Sequence, residues 1–412
     1  MHYNFYFDET FHDRAITLNE YGEINVLDSS KNDSYIGVFW GVPNTQLSSV
    51  KKMLSKFEDK QKESYGLHDS QELKSTTIGK KNFEYGIKSF NEKTKEFYID
   101  LFSVLLKIKP IIQIDVISKI EFFLRKILGA TRFPYYTNVN ALYYSLTKFF
   151  IIYGNSELLG ALYQVSDKES SEDFIKLLIS QIKVLLEAID GIERKTVEIN
   201  AYQEIYFILK NTDIAMRFDN KCVFDYSPNF DGLIHLLNEI GISETNINLV
   251  IDEEEKTFQT AKNYLFKDVK KQKSHNSIQL RLSDWISGFV GRIMYSLFND
   301  AGMKEDAVSD FNRIKDNDLV TKRIISKEWF EITKDDFKLY NLVYKVLIVN
   351  QEHHWSTMTM SFCDQTAMFY SLLRYFASYE SYSEFCKVSS SMHSEYYNSC
   401  CCEELLRIYS EM

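Results

Sequence analysis

Asn4-Phe5-Tyr6-Phe7-Asp8-Glu9-Thr10 is an apolar run that closes on two acids a few residues from the N-terminus. Residues 3–7 carry the pattern of a strand buried on both faces. An acid at the end of such a strand is costly unless something compensates its charge. Three further acidic segments lie far along the chain: Gln71-Glu72-Leu73-Lys74-Ser75, Asn248-Leu249-Val250-Ile251-Asp252-Glu253, and Leu280-Arg281-Leu282-Ser283-Asp284-Trp285-Ile286-Ser287-Gly288. A divalent cation is a common compensator, so convergence of these acids would make a metal site.

Working outward, Tyr35-Ile36-Gly37-Val38-Phe39-Trp40-Gly41-Val42 predicts a second strand, closed by Pro43-Asn44. Turn-forming clusters at 19–22 and 28–33 separate it from the first. A lysine-rich helix is expected over 47–62 and another over 91–106, stopped by Pro110. Ile111-Ile112-Gln113-Ile114-Asp115-Val116-Ile117 reads as a third strand. This alternation of strand and helix signals an α/β sheet. Between Ser118 and Thr212 the runs Ile120–Leu128, Val139–Tyr153 and Asp173–Ile189 are amphipathic, which predicts a helical insertion. Sheet character then returns: a helix over 229–240, a strand over 246–251, a polar stretch, and a helix from about 280 to 298. The expected division is a core in two parts, 1–118 and 220–299, a helical insertion at 119–219, and a helical C-terminal lobe at 300–412. The tail from Ser378 to Glu404, rich in Ser, Tyr and Cys, is expected to be poorly ordered.

Bulk composition agrees with a multi-lobed globular chain. The 412 residues exceed one usual core, and 45% apolar with 15% aromatic content excludes global disorder. Only 4 prolines and 15 glycines disfavour a loop-rich sandwich. A net charge of −10 means that any surface for nucleic-acid phosphates must be local. Candidates are Lys80 with Lys81, Lys107 with Lys109, and the cluster Lys267, Lys270, Lys271 and Lys273, all of which solvated surface charge also explains. The cysteines Cys222, Cys363, Cys386, Cys400, Cys401 and Cys402 match no disulfide framework, which predicts a reduced, cytoplasmic setting. A zinc fragment from His353, His354 and Cys363 lacks a second ligand pair at zinc-finger spacing, so a structural role is preferred. The most apolar stretch, Phe97–Ile117, is interrupted by Asp100, Lys107, Lys109 and Pro110, so no membrane span is expected and the chain reads as soluble.

Two-metal hydrolysis of a phosphodiester needs several carboxylates holding two ions about 4 Å apart, supplied by different elements. Asp8 and Asp252 at strand ends and Asp284 near a helix start meet that description. The segments also resemble a family called Domain of Unknown Function 3800. Tyr6-Phe7-Asp8-Glu9-Thr10 is similar to its Tyr-x-Asp-Glu-Ser-Gly opening, and Gly37–Val42 to its second strand. Gln71-Glu72-Leu73-Lys74-Ser75 is similar to its Glu-x-Lys segment, and Val250-Ile251-Asp252-Glu253 to its later strand-end acid. Leu280–Gly288 resembles its Leu-Gln-x-Ala-Asp-x-x-x-Gly helix. The order along the chain agrees, over roughly residues 3–118 and 228–298. Thr10-Phe11 stands in place of Ser-Gly, Arg281 in place of glutamine and Ser283 in place of alanine; none of these removes a carboxylate.

The resemblance implies a ribonuclease H-like mixed central sheet flanked by helices. It also implies a Mg²⁺ or Mn²⁺ site held by Asp8, Glu72, Asp252 and Asp284, with Lys74 near a phosphate. Glu9 and Glu253 would stand behind these ligands, and Lys267, Lys270, Lys271 and Lys273 would guide a nucleic-acid backbone. Phage defence or a mobile element is the setting the resemblance suggests. The expected activity is hydrolysis of RNA or DNA, with the choice between them left open. Tyr135, Tyr136 and Trp285 are available to stack on bases, but core packing explains each better. Each acid also has a plain structural explanation: a turn or cap for Asp8-Glu9, an N-cap for Asp284, an exposed ion pair for Glu72 with Lys74. Two alternatives stand beside the nuclease: a non-catalytic interaction protein that binds a protein partner through its helical lobes, and a phosphohydrolase of small nucleotides.

Overall fold

The structure is a computed structural model and describes residues 1–11, 33–68, 70–165, 168–192, 195–215, 226–301, 325–352 and 356–411. The expected turns at 19–22 and 28–32, and Cys222, His353 and His354, lie outside the described residues. Six strands form one sheet: β1 (Tyr3–Thr10), β2 (Ser34–Pro43), β3 (Ile111–Ser118), β4 (Ile247–Ile251), β5 (Asp268–Lys271) and β6 (Thr357–Thr359). Their spatial order is β5-β4-β1-β2-β3-β6. β1 is antiparallel to β2, and β2 to β3. β4 is parallel to β1, β5 to β4, and β6 to β3.

Helices α1 (Leu47–Tyr65) and α2 (Glu92–Ile108) lie between β2 and β3. After β3 come α3 (Lys119–Leu128), α4 (Val139–Ile152), α5 (Ser156–Gln164), α6 (Lys168–Ile189) and α7 (Thr196–Asn211). α8 (Ser227–Glu239) precedes β4, α9 (Glu255–Ala261) precedes β5, and α10 (Ile278–Asp300) follows β5. The C-terminal portion adds α11 (Lys334–Leu347), α12 (Asp364–Ala377), α13 (Tyr382–Phe385) and α14 (Ser390–Glu411). Local signals explain the ends. The Asn91 side chain accepts the Thr94 N–H at 2.9 Å to start α2. Lys109 closes that helix with φ 50°, just ahead of Pro110, which cannot continue it. Among the described residues, no helix is long and apolar enough to cross a membrane.

Alternation along the strands sorts their side chains between two apolar layers. Tyr6, Val38, Trp40 and Ile114 join a layer with α1, α2 and α10. Phe5, Phe7, Phe39 and Leu249 join a second layer with α8. Tyr6 stacks on Trp40 at 5.0 Å, and Phe7 packs on Phe39 at 4.3 Å. Aromatic pairs at facing positions of neighbouring strands add about 0.2–1 kcal/mol each and pin the register. Helices α3 to α7 pack around their own apolar cluster, which includes Phe150, Phe174, Ile182 and Tyr202.

Three features depart from the sequence reading. β5 occupies the stretch read as polar, and α9 precedes it. β6, which the sequence reading did not include, belongs to the sheet, and Phe337, Tyr340, Phe376 and Tyr397 of the C-terminal part belong to the same apolar layer as α10. The Ser-, Tyr- and Cys-rich tail is not disordered; it is the helix α14, with Tyr397 and Cys401 buried. Its Tyr397 hydroxyl donates to the Met368 carbonyl at 2.6 Å, and His393 stacks on Phe385 at 3.9 Å. The described cysteines are free thiols.

Arg281 of α10 and Glu58 of α1 form a buried ion pair at 2.6 Å, and the Arg281 guanidinium also donates to the Ser274 and His275 carbonyls. Removing one partner strands the other charge, which costs about 3–5 kcal/mol, whereas replacing both is far milder. Urea denaturation of Arg281→Met should show a loss of that size, and adding Glu58→Leu should recover most of it. A double variant as unstable as the single one would mean that the pair's charge is not what is being lost.

Candidate metal centre

Phe7 pairs with Ile251, so the next residues, Asp8 and Asp252, stand side by side: Asp8 is still within β1, paired with Val38, rather than at the strand's end as expected, and Asp252 is the first residue past β4. Asp284 lies in the second turn of α10. Ser277, not Asp284, caps that helix, its hydroxyl accepting the Leu280 N–H at 3.3 Å. α10 crosses β1 on the face that carries Tyr6 and Asp8. The close approach of α10 to the 71–75 segment depends on Gly288, one turn beyond Asp284: a Cβ at that position would sit 2.5 Å from the Ser75 Cβ. Ser75 uses this proximity to hold Asp284 twice, its N–H donating to Oδ2 at 2.7 Å and its hydroxyl to Oδ1 at 2.6 Å. Trp285 is buried and donates to the Leu73 carbonyl at 2.8 Å, tying the 71–75 segment to α10. Core packing is thus the role of Trp285, as expected.

Strand, loop and helix therefore bring Asp252 and Asp284 each within electrostatic reach of Asp8. Burial pushes the Asp8 carboxyl well above the ordinary carboxylate range, and the charges of Glu9, Asp284 and Asp252 raise it further, against the Glu9 N–H that donates to Oδ1 at 2.8 Å. Burial also raises Asp284, opposed by the two bonds from Ser75 and by the charges of Arg292 and Lys74. Asp252 accepts the Glu253 N–H at 2.8 Å and the Ser274 N–H at 3.2 Å. Among the described residues, no three His, Cys, Asp or Glu side chains stand in a set compact enough to hold an ion as arranged. Each aspartate is instead turned to an amide or hydroxyl donor.

The other expected residues are placed less centrally. Glu72 and Lys74 pair at 3.5 Å, with Lys74 exposed and its charge felt by Asp284. Among the described residues, no hydrogen bond joins Glu72 to the three aspartates; its ion pair is with Lys74. Glu9 points to the opposite face of β1. There burial, Glu254 and Asp252 push its carboxyl up to about 8. Glu254, not singled out from the sequence, is its near neighbour and accepts from the Thr257 hydroxyl. Glu253 instead pairs with Lys273 at 3.8 Å on the surface. Lys267 lies 3.1 Å from His2, Lys270 pairs with Asp268 at 2.8 Å, and Lys271 pairs with Glu255. The 267–273 cluster is therefore the charged edge of the sheet, each lysine beside its own partner. Tyr135 and Tyr136, expected in the core, are exposed and meet edge-to-face at 5.6 Å. Ser75 and Gly288 lie inside the motifs quoted from the sequence, but only the packing of α10 on the 71–75 segment reveals their roles.

No family model, curated protein or solved structure matches the chain.

Because the folded chain holds the Glu9 proton more tightly than the unfolded one, Glu9 stabilises the fold fully below its ordinary value of 4.5. That contribution is lost as pH rises through about 8. Thermal melts across this window should show stability falling toward alkaline pH, and Glu9→Gln should make the decline shallower. An undiminished decline in the variant would assign it to other groups.

Proposed function

We propose that this chain is a divalent-metal-dependent nuclease that hydrolyses phosphodiester bonds of RNA or DNA, with Asp8, Asp252 and Asp284 as the central metal carboxylates and Glu72 beside them. The observation that carries this reading is the mutual electrostatic pressure on Asp8 from two aspartates that reach it along different elements. Carboxylates pressed together and raised in this way are chemically suited to a hard cation, and an all-oxygen donor set favours Mg²⁺ or Mn²⁺ over softer metals. The sheet supports a ribonuclease H-like assignment: an antiparallel β1-β2-β3 meander is extended on the other side by β4 and β5, both parallel to β1.

Asp8, Asp252 and Asp284 would hold such ions, whose chemistry when bound would be activation of a water and stabilisation of charge on the leaving oxygen. The chain's own contributions follow from its geometry. Ser75 fixes both oxygens of Asp284, which leaves that carboxylate one orientation. Lys74, exposed next to this pair, is positioned to meet a substrate phosphate as a mobile point charge. Glu9 and Glu254 behind β1 add negative charge without facing the α10 side.

One observation favours the alternative of a non-catalytic interaction protein on the same scaffold: the carboxylates do not close into an ion-holding set unaided. Calorimetric titration with Mn²⁺ separates the two. The nuclease reading predicts saturable binding that is lost in Asp8→Asn and Asp284→Asn. It also predicts cleavage of labelled single-stranded, duplex or hybrid nucleic acid that EDTA abolishes. Ser75→Ala, which frees a group one step behind the metal, should cost about 10–100-fold in ion affinity or rate. A chain that binds no Mn²⁺ would leave the scaffold reading in place, and cleavage of mononucleotides alone would point to a small-molecule phosphohydrolase.

A further inference from the structure

We propose that the far edge of the sheet carries a separate binding site for a nucleoside phosphate. A cavity of about 650 Å³ opens beside β6, within the range of small-molecule pockets. Three arginines line it from different elements: Arg125 of α3, Arg374 of α12 and Arg407 of α14. Each is anchored on an acid buried behind it. Arg125 binds Glu121 at 2.7 Å and donates to the Ser361 hydroxyl at 2.6 Å, with its side chain 33% exposed against 0% for Glu121. Arg374 and Arg407 share the single carboxylate of Glu404 at 3.2 and 2.7 Å, and they are 42% and 41% exposed against 5%. Three guanidiniums thus stand on two sunken carboxylates, their exposed parts fixed in direction before any ligand arrives. Among the described residues of the lining, the one other acid, Glu352, is exposed.

Guanidinium groups held this way match a phosphate, whose oxygens accept paired N–H donors. The remaining wall suits a ring: Tyr370, Met358, Met360 and Ile408 supply apolar surface, and hydroxyls of Thr357 and Thr359 stand among them. Among the described residues β6 is the last strand of the sheet, so its outer edge also presents backbone groups to the cavity side. The site is distinct from the aspartates yet level with them. Asp8, Val38, Ile114 and Thr357 form one row across four strands, about 14 Å from end to end. The shared chemistry is a phosphate on a nucleoside, whether free or at the end of a nucleic-acid strand.

The test is calorimetry on the full chain in EDTA, which silences any metal-dependent binding. The probes are adenosine and guanosine 5′-monophosphate, the bare nucleosides, and a trinucleotide with either a 5′-phosphate or a 5′-hydroxyl. At least one phosphorylated probe should bind at one site per chain, and its unphosphorylated partner roughly tenfold or more weaker. Arg374→Gln with Arg407→Gln should weaken binding by a similar factor. Thr359→Tyr, which fills the cavity from β6 and leaves the ion pairs intact, should block it if the arginine variant does not fold. Binding of the monophosphate alone identifies a free nucleotide, and tighter binding of the phosphorylated trinucleotide identifies a strand end. Failure of every phosphorylated probe to saturate at millimolar concentration, or binding indifferent to both variants, would overturn the proposal.

Discussion

Everything at the candidate centre follows from the position of β1 between an antiparallel and a parallel neighbour. The parallel pairing with β4 sets Asp252, just past the end of β4, beside Asp8 of β1. Strand alternation then divides the acidic pair of the first segment. Asp8 faces α10 and Asp284, while Glu9 faces α8 and Glu254. A one-residue slip in β1 would exchange these roles and bury the wrong carboxylate against Asp284. The aromatic pairs Tyr6–Trp40 and Phe7–Phe39, one on each face, oppose such a slip.

This arrangement concentrates negative charge where burial already penalises it. The fold answers with local donors: Ser75 for Asp284, and the Glu9 and Glu253 amides for Asp8 and Asp252. Positive charge from Arg292 and Lys74 favours the ionised form of Asp284. These compensations are partial, since Asp8 and Glu9 remain raised. Carboxyls left in that condition hold their protons tightly, and perturbed groups of this kind cluster at functional places in proteins generally. The opposite edge of the sheet shows the inverse design, with arginines raised on buried acids.

Much of this was legible in the sequence. The first four strands and the helices around them announce themselves through apolar runs, caps and Pro110. The acids at 8, 252 and 284 could be picked out because a carboxylate next to a long apolar run is conspicuous. What escaped has physical reasons. β5 is four residues long with three of them charged, which suits a solvated edge and carries no apolar alternation. β6 has three residues, too few for any periodicity to register. In α14 the buried stripe of Tyr397, Cys401 and Ile408 is mixed with buried His393, Ser394 and Glu404, and polar residues on an inner face erase the amphipathic signal. Nothing in the sequence separates Glu254 from the acidic run 253–255; the turn after β4 carries it back toward Glu9. Tyr135 and Tyr136 read as core because aromatic residues usually are; a tight turn between α3 and α4 exposes them instead.

The central claim is that three aspartates far apart in sequence share a doubly charged ion. Anomalous scattering from crystals grown or soaked with Mn²⁺ tests it most directly. The account predicts a manganese peak bounded by the carboxylates of Asp8, Asp252 and Asp284, with Asp8 and Asp252 turned from their amide donors toward it and Asp284 still held by Ser75. Well-ordered carboxylates with no peak among them at saturating Mn²⁺, or a peak only at surface acids elsewhere, would contradict it.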